Sequence, residues 1–86
     1  MAVIVYTLPE CVQCDMTKKY LERNSIQYST VDLTKDEEAS NKIAELGHKQ
    51  APVVVYNNFH WSGFRPDKIQ ALRLLLLDKV APNIAS

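Results

Sequence analysis

The pattern of this 86-residue chain predicts one α/β domain in the order β-α-β-α-β-β-α, a four-stranded mixed sheet flanked by three helices. Three observations predict it: β-branched apolar runs at 2–7 and 52–56, helical spacing of apolar residues after Val12 and after Pro66, and a turn pair, Asn57-Asn58, inside a β-prone segment. Taking the elements in order, Ala2 to Thr7 reads as a buried strand that ends at Leu8-Pro9. From Val12 the period changes. Val12, Met16 and Tyr20 form one stripe and Cys14, Thr17 and Leu21 its neighbour, so a helix is expected to about Arg23, with Cys11 at its first turn. Ile26 to Leu33 alternates as a second strand. Thr34-Lys35-Asp36-Glu37 has the form of a capping box and Gly47 that of a helix end, which places the second helix at about Lys35 to Leu46 with Ala39, Ile43 and Leu46 buried. Pro52 to Tyr56 and Phe59 to Ser62 then form a hairpin around Asn57-Asn58, where Asn tolerates positive φ. Pro66 suits the first position of a third helix whose stripe is Ile69, Leu72, Leu76 and Val80. Leu74 to Leu77 is apolar all round, which reads as core packing or, alternatively, as a partner surface, and is assigned to the core. Pro82 is expected to stop the helix, so that residues 1–80 form the domain and 81–86 a flexible tail.

Composition excludes several function classes. Ten basic residues balance ten acidic ones, which speaks against the basic surface that a phosphate backbone requires, so no nucleic acid partner is expected. Apolar runs such as Met1 to Tyr6 fall far short of the roughly 20 residues that cross a bilayer. Neither a membrane span nor a secretory leader is expected, and a cytoplasmic location is.

Cys11 and Cys14 are the only cysteines, spaced as Cys-Val-Gln-Cys. As a staple, so short a loop gains only roughly 2 kcal/mol in the chain-entropy model. Zinc requires four ligands, and His48 and His60, twelve apart and more than thirty residues beyond the pair, match no common zinc spacing. Beside an alternating strand and helix pattern, the pair reads first as a redox couple, with metal ligation and inert thiols as alternatives. A thiol at its ordinary pKa near 8.5 is about 7% ionised at about pH 7.4, and a helix start shifts that balance toward the thiolate. Cys11 is therefore the expected nucleophile. Cys14, one turn further in, is the expected resolving thiol.

Tyr6-Thr7-Leu8-Pro9-Glu10-Cys11-Val12-Gln13-Cys14, Gln50-Ala51-Pro52-Val53-Val54 and Trp61-Ser62-Gly63-Phe64-Arg65-Pro66-Asp67 together closely resemble the NrdH-redoxins, over about residues 2 to 75. The resemblance implies a thioredoxin fold and a glutaredoxin-like sequence with thioredoxin-like behaviour. It further implies electron transfer from NADPH-dependent thioredoxin reductase to the large subunit of class Ib ribonucleotide reductase. No bound cofactor is expected; NADPH acts indirectly through the reductase, and the chain is expected to act as a monomer. Where glutaredoxins carry a Lys three residues before the first Cys and an acidic pair after Gly-Gly, this chain has Leu8 and Arg65-Pro66. The glutathione clamp is thus missing, and glutathione is expected to bind weakly.

The resemblance also assigns roles. It implies a cis bond before Pro52, although X-Pro bonds are generally trans, and makes the Ala51 backbone a strand-like partner for a bound peptide. Val12 and Gln13 influence the redox poise, and Thr7 is a candidate hydrogen-bond partner near the thiols. By themselves Trp61 and Phe64 fit the small core as well as an interface; the resemblance assigns Trp61, Ser62, Gly63, Phe64, Arg65 and Pro66 to a partner-facing loop. For Arg65 the choices are loop carbonyls, a partner carboxylate or plain solvation. His48 and His60, with no acid nearby in sequence, are expected on the surface. Two alternatives stay open: a glutathione-dependent glutaredoxin, and a metal or iron–sulfur module that draws four cysteines from two chains.

Overall fold

A computed structural model describes the backbone of residues 3–85 and the side chains of residues 3–77. Its elements are β1 (Val3–Thr7), α1 (Val12–Arg23), β2 (Tyr28–Asp32), α2 (Glu37–Glu45), β3 (Val53–Tyr56), β4 (Phe59–Ser62) and α3 (Pro66–Ala85). The sheet order is β2-β1-β3-β4. β1 pairs with β2 in parallel, and β3 runs antiparallel to both β1 and β4. This is the thioredoxin-like arrangement expected from the sequence.

Alternation along the strands divides the apolar residues between two faces. Val3, Val5, Val54, Tyr56 and Trp61 meet Leu21 of α1 and Ile69 and Leu72 of α3 on one face. Tyr6 and Val53 meet Ala39 and Ile43 of α2 on the other. The sheet is covered on both sides, which explains why β1 and β3 read as continuous apolar runs rather than alternating ones.

Several expectations need correction. The start of α2 is capped not at Thr34 but at Asp36, whose Oδ1 accepts from the Ala39 amide at 3.0 Å. Asp32 has captured Thr34 instead, accepting from its amide at 2.8 Å and its hydroxyl at 2.6 Å, so the chain turns once more before the helix begins. Leu46, expected in the buried stripe, is exposed because α2 already ends there, before Gly47 at φ 91°. In the hairpin, Asn57 adopts the positive φ. Leu74, Leu75 and Leu77, assigned to the core, are exposed at 64%, 43% and 48%, whereas Leu76 packs against it. One face of α3 is enough to cover the sheet, and the other three leucines point away from it. α3 also continues past Pro82, where a stop is expected; the proline stands in the last turn, so the ladder that its missing N–H and its ring disturb is only the end of the helix. The expected first-strand residue Ala2 and the side chain of Val80 lie outside the described residues, as do the side chains of the expected tail.

Candidate functional site

The site forms where β1 gives way to α1. Glu10 turns the chain with φ 55°, and Cys11 follows in extended conformation as the N-cap of α1. Its Sγ accepts the Cys14 amide at 3.1 Å, which supplies one of the partners that a helix start leaves missing. Cys11 and Cys14 form a disulfide with Cα atoms 5.2 Å apart. The two sulfurs differ in access. Cys14 is 1% exposed on the buried face of α1 with Thr17 and Leu21, whereas Cys11 is half-buried at the surface. The buried stripe of α1 is therefore the one that contains Cys14, and Val12 and Met16 of the neighbouring stripe face outward. With Leu8 they give the rim of the disulfide exposed apolar surface, and Val12, at 73%, stands furthest out.

Two loops close on this turn. The Ala51–Pro52 bond is cis, and Pro52 is fully buried. The Pro52 carbonyl accepts the Gly63 amide at 2.8 Å, and the next amide, Phe64, donates to Gln13 Oε1 at 3.1 Å. Gly63 sits at φ 83°, a conformation that side chains other than glycine's disfavour. Gln13 thus ties the residue between the two cysteines to a segment 51 positions away. No local signal in the sequence predicts that bond, because Gln13 lies on an exposed helix turn. Phe64 stands edge-on to Tyr20 with ring centroids 5.8 Å apart, and this contact carries the loop onto α1.

Other assigned residues lie elsewhere. Trp61, assigned to the partner-facing loop, is 4% exposed in the core beside Phe59, because its register opposite Val54 aims it at the α1 and α3 side of the sheet. Ser62, Gly63 and Phe64 are half-buried, Phe64 packing against the core, so the exposed Arg65 and Pro66 form the outward part of the loop. The guanidinium of Arg65, half exposed, donates from two nitrogens to the carboxylate of Asp67, at 3.2 and 3.0 Å, and holds that carboxyl below the usual range. Pro66 occupies the first position of α3, as expected. The Thr7 hydroxyl donates to the Val31 carbonyl at 3.4 Å, so it serves β2 rather than the sulfurs. Ala51 is half-buried beside Pro52. Of the charges around the cysteines, Asp15 is paired with Lys18 at 3.6 Å, so these two largely offset one another.

The two histidines also depart from expectation. His48 Nε2 and His60 Nδ1 lie 2.6 Å apart with perpendicular rings. Burial, and then the neighbouring His60, push the His48 pKa down.

Comparison with known proteins yields a consistent set. Residues 3–61 match the glutaredoxin family. The whole chain is 36% identical to the glutaredoxin-like protein NrdH of Escherichia coli K12, of which it covers 99%. Over 81% of this chain it is also 36% identical to the NrdH protein of Lactococcus lactis subsp. cremoris, with 97% of that relative covered. The solved NrdH-redoxin of E. coli, a glutaredoxin-like protein described by its thioredoxin-like activity profile, superposes with a TM-score of 0.80. That superposition covers 84% of this chain and 95% of the other.

Proposed function

The chain belongs to the glutaredoxin family, among the NrdH glutaredoxin-like proteins, and from that premise we propose that it is a dithiol–disulfide electron carrier. In this proposal it takes electrons from NADPH through thioredoxin reductase and delivers them to class Ib ribonucleotide reductase. One observation carries the redox chemistry: an accessible sulfur capping a helix start, with a second, shielded sulfur one turn beneath it. With the disulfide formed the Cys14 amide points at the Cys11 sulfur, and the same contact, kept on reduction, favours its thiolate.

The thiolate attacks one sulfur of the substrate disulfide, forming a mixed disulfide and expelling the other substrate sulfur as a thiolate, which takes up a proton. Cys14, as thiolate, then attacks Cys11 Sγ. The mixed bond breaks, the second substrate sulfur leaves as a thiolate and takes up the proton that Cys14 gave up, and the Cys11–Cys14 disulfide forms. Two electrons have passed to the substrate. The dithiol of thioredoxin reductase restores both cysteines by the same two exchanges in reverse.

Partner choice rests on the kinship and on two features of the site. The thioredoxin-like activity profile of the E. coli relative favours a protein reductase over glutathione. Leu8 offers no cation, and Arg65 puts a cation where glutaredoxins carry acids, one already engaged by Asp67. The apolar rim of Leu8, Val12 and Met16 suits a protein partner better than a charged tripeptide. The deciding assay compares NADPH plus thioredoxin reductase with glutathione plus its reductase as the electron source for a protein disulfide. Turnover is expected with the first; turnover with glutathione alone would identify a glutathione-dependent glutaredoxin instead.

A further inference from the structure

Outside the redox site, two imidazoles converge on one point from rigid pieces of backbone. His48 follows α2 through a left-handed glycine turn: the Gly47 amide donates to the Ala44 carbonyl at 3.0 Å and the His48 amide to the Ile43 carbonyl at 3.1 Å. His60 sits in β4 opposite Val55, so strand alternation puts its side chain on the α2 side of the sheet, the side opposite Trp61. The rings meet edge to face with centroids 4.8 Å apart, His48 Nε2 lying 2.6 Å from His60 Nδ1. Each half-buried ring therefore directs a nitrogen lone pair or N–H into the same small volume.

Two nitrogens so placed can share one proton, or they can give up that proton and share one metal ion. Tetrahedral coordination at the usual 2.0–2.1 Å requires the nitrogens to be about 3.4 Å apart, so the rings need to part by less than about 1 Å. Side-chain rotation supplies that movement at a half-buried site, while the turn and the strand keep both backbones in place. We propose that His48 Nε2 and His60 Nδ1 form a two-nitrogen site for a divalent late transition ion of the copper, nickel and zinc class. Water completes the coordination, since no third His, Cys, Asp or Glu joins the pair among the described residues. Imidazole donors select these ions over magnesium and calcium, which require oxygen ligands. The cysteines are no part of the site, and in their disulfide form they offer no thiolate to compete.

The test uses the full chain with its disulfide formed, titrated at neutral pH with Cu²⁺ and, in parallel, with Mg²⁺. One equivalent of Cu²⁺ is expected to bind saturably, with an electron paramagnetic resonance spectrum showing two imidazole nitrogens, and Mg²⁺ is expected not to bind. His48→Gln and His60→Gln, checked for folding by far-ultraviolet circular dichroism, are each expected to weaken Cu²⁺ at least about tenfold and to remove one nitrogen from the spectrum. Cu²⁺ uptake unchanged in both variants, a one-nitrogen spectrum in the parent, or no saturable uptake would each overturn the site and leave the pair a shared-proton contact.

Discussion

Two helix starts in this molecule have the same geometry and opposite uses. At α2 the Asp36 carboxylate accepts the amide three residues on, at 3.0 Å; at α1 the Cys11 sulfur does the same at 3.1 Å. Both satisfy a backbone donor that the first helical turn leaves open, and both put an acceptor at the positive end of the helix dipole. The carboxylate has no atom beneath it with which to form a bond. The sulfur has Cys14 within disulfide reach on the buried side and an exposed apolar rim on the other. A helix start thus becomes a redox site when its capping atom can change oxidation state and a partner waits one turn below.

Substitution of Cys11 tests the contrast with the largest expected effect. Serine is itself a favoured cap, so Cys11→Ser should melt close to the reduced parent while disulfide reduction coupled to NADPH consumption falls to background. A variant that retained turnover would detach the chemistry from the cap. The companion change Cys14→Ser should accumulate a Cys11 mixed disulfide with a substrate protein, visible by mass spectrometry, which Cys11→Ser cannot form. Equal trapping by both would break the assignment of roles.

Asp36→Ala should show the reverse pattern, losing about 1 kcal/mol in denaturant unfolding with turnover unchanged. Gln13→Ala tests whether the α1 start needs its tether to the Phe64 amide. Losing one exposed hydrogen bond should destabilise by about 0.5 kcal/mol and, by freeing the loop beside the disulfide, slow partner reduction severalfold in the coupled assay. The smallest effect lies at the opposite end of α1, where the Tyr28 hydroxyl donates to Glu22. Burial first, and then Glu22, raise the Tyr28 phenol from 10.0 to about 12. A raised pKa means that the folded state holds the proton more tightly, so this stabilisation is complete below about pH 10 and is lost as pH climbs through about 12. Tyr28→Phe should flatten the alkaline fall in melting temperature over that window and remove its late step from the ultraviolet phenolate titration.

Near-neighbour chemistry was legible and long-range placement was not. Cys11 at a helix start, Gly47 just past a helix end, Asn57 at positive φ and Pro66 opening α3 each follow from conformational preferences within a few residues. The cap of α2 failed on a local competition that composition does not resolve, because Asp32 and Asp36 both offer carboxylates to nearby donors. Trp61 was misplaced because a motif names residues without saying which face of a strand they occupy; pairing with Val54 decided that it fills the core.

The sequence by itself determined the order of the elements and the identity of the reactive pair, since hydrophobic period, capping and Cys-x-x-Cys spacing act over single turns and strands. Only the tertiary structure decided that Gln13 meets Phe64, that His48 meets His60, and that Leu74, Leu75 and Leu77 face outward. Those outcomes depend on strand register and on which helix covers which face, and both are settled by residues distant in the chain being buried together.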